Sequence, residues 1–151
     1  MENFAVHMEK YAEIAIKIGI NIQKDQTLIV SAPIEAVEFV RLVAKKAYEA
    51  GAKHVHFEWS DDDLTLTRFM LAPEESFKEF PEWKARGFEE MAAEGAGFLS
   101  IYATNPDLLK EVDPQRIATA NKVRAQAMKN FSNYVKTSKI SWSVISVPTK
   151  S

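Results

Sequence analysis

The stretch Gln26–Asp63, QTLIVSAPIEAVEFVRLVAKKAYEAGAKHVHFEWSDDD, decides the fold. It opens with a continuous apolar run, Thr27 to Ala32, which reads as a strand buried on both faces. Pro33 stands where a helix can begin without losing a hydrogen bond. Apolar residues then recur at Ile34, Val37, Val40, Ala44, Ala47 and Tyr48, the three-to-four spacing of a helix with one buried face, and Gly51 is placed to end it. His54 to Trp59 alternates instead, so His54, His56 and Glu58 point one way and Val55, Phe57 and Trp59 the other.

Outward from this unit the same alternation of elements continues. Upstream, Phe4, Met8, Tyr11, Ala15 and Ile18 mark the buried face of a first helix, with Gly19 as its stop. Downstream, a helical stretch from about Asp62 to Glu94 is broken near Pro73 and Pro81, because proline disfavours helical geometry in the residue before it. A third strand, Gly97 to Tyr102, leads through Thr104, Asn105 and Pro106 into a long helix from about Pro114 to Tyr134, and a fourth strand spans Ile140 to Val147. Strands alternating with helices and no tight hairpin signal predict a three-layer α/β fold. Its mainly parallel sheet has at least four strands, right-handed crossovers and helices on both faces. Residues 1–151 read as one domain without internal repeat, linker or low-complexity segment.

The composition fits one core. Of 151 residues, 46% are hydrophobic and 26% charged, as in ordinary soluble globular chains, and a chain of this length buries roughly two-thirds of its unfolded surface. A net charge of −2 argues against a dedicated nucleic-acid binder, which needs a concentrated cationic surface. Charge is nevertheless uneven: 11 acidic against 4 basic residues between Val55 and Gly95, and 7 basic against 2 acidic between Lys110 and Lys139. Such runs read either as solvated helical faces or as a docking surface. The absence of cysteine excludes disulfides, thiolate-held zinc and a thiol nucleophile, and fits a reducing compartment. No apolar run approaches the roughly 20 residues of a membrane span, so the expected location is cytoplasmic.

Several residues invite a chemical reading. His54 and His56, two apart on a strand, could hold zinc from one face with Glu58 completing three protein ligands and leaving a position for water. The plainer reading is a half-exposed strand face, after which Ser60 or Asp61 caps a helix and the other aspartates complement its positive end. Asp61, Asp62 and Asp63 also lie where open α/β sheets bind ligands and could hold magnesium beside a phosphate. No glycine-rich phosphate loop follows any strand. Asn121 and Arg124 fall within the apolar face of a helix built from Ile117, Ala120, Ala127, Met128, Phe131 and Val135. An arginine so placed is expected to find a carboxylate or several backbone carbonyls, or to serve a ligand or domain interface. Trp59, Trp83 and Trp142 read as core or interface anchors. There is no Gly-x-Ser-x-Gly turn and no nucleophile that can be named.

QTLIV (Gln26–Val30), APIEAVEFV (Ala32–Val40), KAYEAGAK (Lys46–Lys53) and EWSDDDL (Glu58–Leu64) together resemble the opening of the thermophilic metalloaminopeptidases, known as aminopeptidases T, S and II. The likeness continues through FLSIY (Phe98–Tyr102), NPDLL (Asn105–Leu109), VDPQRIATAN (Val112–Asn121) and SWSVISVP (Ser141–Pro148), covering essentially the whole chain. The resemblance implies a cytoplasmic, homodimeric exopeptidase that removes amino-terminal residues from peptides with two adjacent divalent metals, zinc or cobalt. It places the family's metal ligands in a carboxyl-terminal catalytic domain, so no catalytic residue and no metal is expected on this chain. The amino-terminal domain is expected to gate access and scaffold assembly. The chain's end fits such a division, since only Pro148 to Ser151 follow an apolar last strand, too few for a covering helix. The competing expectation is a self-sufficient α/β module binding a small ligand or metal through Asp61–Asp63.

Overall fold

The computed structural model describes residues 2–103, 105–137 and 140–147. Its centre is a four-stranded, wholly parallel sheet of β1 (Thr27–Pro33), β2 (His54–Ser60), β3 (Gly97–Tyr102) and β4 (Trp142–Ser146) in the order β2-β1-β3-β4. The four predicted strands therefore share one sheet, as expected. Thr104 and the end of the chain from Pro148, which figured in that reading, lie outside the described residues.

One face is covered by α1 (Glu2–Ile14), the π-helical turns Ala15–Ile20 that prolong it, and α2 (Val37–Glu49). Leu28, Val30, Val55, Leu99 and Ile101 meet Ala12, Ile16, Ile20, Phe39, Val40, Val43 and Ala47 there in the larger of two cores. The buried faces coincide only in part with those the spacing picked out: Ala15, Val40 and Ala47 are buried as expected. In α1 Phe4 and Ile18 are 60% and 76% exposed, and the buried line runs instead through Ala12, Ala15, Ile16 and Ile20. The π-helical turns rotate the phase of the last residues, which a fixed 3.6-residue period cannot anticipate. Gly19 does not stop the helix. Left-handed Asn21 (φ 56°) does, while Gly19, lacking a Cβ, lets the turn approach Ser143 of β4. In α2 the buried line is Ala36, Phe39, Val40, Val43 and Ala47, leaving Ile34 and Tyr48 exposed. A 3-10 turn, Ile34–Ala36, follows Pro33 before the α-helix starts and resets its phase. Gly51 (φ 106°) ends α2 as expected.

The other face carries a thinner layer: α4 (Glu82–Ala93) and α6 (Lys129–Lys136) pack Phe88, Ala92 and Phe131 against Ile29 and Phe98. Phe131 is the hinge of this core, with ring centroids 5.4 Å from both Phe88 and Phe98. The expected single helix from Pro114 to Tyr134 is two, α5 (Pro114–Ala127) and α6, separated at Met128 (φ −94°, ψ 12°). The break lets α6 lie on the sheet while α5 packs against the 3-10 turn Glu74–Lys78, which follows α3 (Asp62–Leu71). The breaks near Pro73 and Pro81 fall where expected.

Candidate functional site

The polar side of β2 is where the sequence pointed, and β2 is an edge strand. Asp61 caps α3, its carboxylate accepting from the Leu64 N–H at 3.1 Å, and Asp62 and Asp63 fill the first turn, where they complement the helix's positive end. His54 is exposed and stands apart, while His56 and Glu58 form a pair, Nε2 to Oε1, at 3.1 Å. Lys84 of α4 reaches the other oxygen of Glu58 at 3.2 Å. Burial pushes the Glu58 carboxyl up, but hydrogen bonds from His56 and Lys84 outweigh it and hold the group below its ordinary value. A carboxylate already holding an ammonium is a poor metal ligand, and among the described residues no three His, Asp or Glu side chains come together as a metal-binding group. These residues do not fit the zinc site that the spacing of His54, His56 and Glu58 suggested.

What the fold does assemble is a cleft of about 590 Å³ over the carboxyl-terminal half of the sheet's thinner face. Ser31 of β1 and Glu58 and Ser60 of β2 lie at its floor, Lys84 and Phe88 of α4 on one side, and Asn121 and Arg124 of α5 with Met128 and Phe131 on the other. It sits beside the point where the chain, having moved from β1 to β2, crosses back to β3, the position at which open α/β sheets bind ligands. The thin second layer is what leaves it open.

Arg124 departs from expectation. Its side chain is exposed in the cleft wall and makes no hydrogen bond or ion pair with the described residues, because α5 ends at Ala127 and does not carry the apolar face of α6. Asn121 is likewise exposed there. The chemistry foreseen for Arg124 belongs to Arg116, two turns earlier. Its guanidinium donates to the Phe69 and Ala72 carbonyls at 3.1 and 3.0 Å and stands 5.2 Å from the centre of the buried Phe77 ring. Lys84 and Phe88 come from a helix distant in sequence from β2, which they meet, whereas Trp59 and Phe131 of the lining stood out only as packing residues. Ser31, a hydroxyl interrupting a buried apolar strand, was the available signal. The tryptophans are not core: Trp59, Trp83 and Trp142 are 44%, 74% and 48% exposed.

This is a parallel α/β domain with no metal-ligating cluster among its described residues. The chain belongs to the thermophilic metalloprotease (M29) family, whose sequence profile matches residues 4–151. It is 56% identical over 149 residues to Aminopeptidase 2 of Geobacillus stearothermophilus, covering 99% of this chain and 36% of that protein. With Aminopeptidase AmpS of Bacillus subtilis it shares 43% identity over 145 residues, 96% of this chain and 35% of that one. The solved structure of wild-type AmpT from Thermus thermophilus superposes with a TM-score of 0.90 at 36% identity, covering 96% of this chain and 36% of that chain. The chain thus spans about 36% of the length of the relatives it matches. No helix among the described residues is long and apolar enough to cross a membrane.

Proposed function

We propose that these residues are the amino-terminal α/β domain of a dinuclear metal-dependent aminopeptidase, and that the domain gates access and scaffolds assembly without catalytic groups of its own. One observation carries the reading: relatives named as aminopeptidases share nearly all of this chain, yet it accounts for only about 36% of their length. The pairing of Glu58 with Lys84 supports it, because it leaves the sharpest local candidate for a metal site already neutralised. In the whole enzyme a carboxyl-terminal catalytic domain would hold a divalent metal pair, zinc or cobalt, which would supply Lewis-acid polarisation of the scissile peptide carbonyl and an activated water. This domain's part is to bound the space around that site and limit which peptides enter. Its exposed β4 residues Trp142 and Val144 offer an apolar seat for the catalytic domain or for a second subunit of a cytoplasmic homodimer. The alternative of a stand-alone module built on Asp61–Asp63 gains nothing from the geometry, since Asp61 is engaged in capping.

The test is metal content and turnover of the whole enzyme carrying His54→Ala and His56→Ala together. Metal stoichiometry and aminoacyl-anilide turnover are expected to match the parent. Loss of one metal equivalent, with activity, would place a ligand in this domain and overturn the reading.

A further inference from the structure

We propose that the cleft bounded by β1, β2, α4 and α5 is a binding site for a monoanionic carboxylate attached to an apolar group, with Arg124 as the anchor of the carboxylate. The charge inventory points to that ligand. Lys84 and Glu58 neutralise one another at 3.2 Å, which leaves Arg124 as the unpaired charge of the cleft among the described residues. A guanidinium presents a planar fork of donors that matches a carboxylate in two parallel hydrogen bonds, and Asn121 lies one turn away on the same helix to add a donor. Arg124 is not needed to hold the fold, because Arg116 supplies the tie between α5 and the carbonyls at the end of α3.

The rest of the lining fixes the other half of the ligand. Phe80, Phe88, Met128 and Phe131 bring apolar surface to the cleft from around α4 and the junction of α5 with α6, and Phe98 of β3 adds to the floor that Ser31 and Ser60 supply. A half-open cleft with more apolar than polar lining, at about 590 Å³, falls in the size range of small-molecule sites, roughly 300–1,000 Å³. A carboxylate beside an apolar side chain is the chemistry of the carboxyl end of a short peptide. That identification of the natural ligand rests on the aminopeptidase reading above; the carboxylate site itself does not.

The experiment is titration of the 151-residue chain with N-acetylphenylalanine and with its amide, followed by calorimetry and by chemical-shift changes. Saturable one-to-one binding of the acid is expected, about tenfold or more tighter than the amide. Arg124→Gln should abolish that preference with the far-ultraviolet circular dichroism unchanged, and Lys122→Gln, outside the cleft lining, should keep it. Equal binding of acid and amide, no saturable binding of either, or an acid preference that survives in Arg124→Gln overturns the proposal. Each of those failures leaves the aminopeptidase reading standing, because that reading is judged on metal content and turnover of the whole enzyme.

Discussion

Arg116→Met separates the two arginines of α5 by what each does. The substitution keeps an apolar stem over Phe77 but removes the donors to the Phe69 and Ala72 carbonyls and one of the two cations on that ring, Arg68 remaining 4.8 Å from its centre. Hydrogen bonds from a charged donor contribute about 1.5–3 kcal/mol each where well desolvated, and the cation–π contact about 0.5–1 kcal/mol more. Arg116 is only half-buried, and the freed carbonyls regain water, so the net loss should be about 2–3 kcal/mol. For a chain of this size that corresponds to a fall in Tm of roughly 4–12 °C. Arg124→Gln, at an exposed side chain without a structural partner, should stay within about 0.5 kcal/mol. Urea and thermal unfolding followed by circular dichroism measure both. A loss below about 0.5 kcal/mol for Arg116→Met, or equal losses for the two variants, would show that the carbonyl tie does not anchor the cleft wall.

Two other perturbations probe the site's surroundings. Phe131→Ala removes the ring that joins α6 to Phe88 and Phe98, and should cost about 3–5 kcal/mol by urea denaturation. Glu58→Gln should alter the dependence of stability on pH. The Glu58 pKa is lowered on folding, so its contribution is fully present above the ordinary value of 4.5 and is lost as pH falls through the lowered one. The parent's advantage over Glu58→Gln should therefore be constant near neutrality and shrink in acid, and an advantage that grew toward low pH would reverse the assignment.

The strands were legible because buried apolar runs and alternation are properties of a few adjacent residues. Gly97–Tyr102 matches its predicted bounds, and His54–Trp59 is short by one. Helical faces were less so. A single turn of another helix type, at Ala15–Ile20 or Ile34–Ala36, shifts the phase and moves Ile18 or Ile34 to the surface. The break at Met128 follows from no local breaker residue; it arises because Phe131 must reach the sheet while α5 is held elsewhere by Arg116. At the site, the capping role of Asp61 could be read from position alone. The ion pair between Glu58 and Lys84 could not, since it joins a strand to a helix that the sequence places but does not orient. The backbone-carbonyl partners expected of Arg124 are those of Arg116, which shares α5 but faces α3.

The central claim, that this domain holds no catalytic metal and cleaves no peptide bond, is tested most directly by titrating the purified 151-residue chain with zinc and cobalt and then assaying aminoacyl-anilide hydrolysis. No stoichiometric submicromolar binding and no metal-dependent turnover are expected. Tight one-to-one binding that is lost in the His54→Ala, His56→Ala double variant, accompanied by metal-dependent hydrolysis, would contradict it and move the active site onto the histidine face of β2.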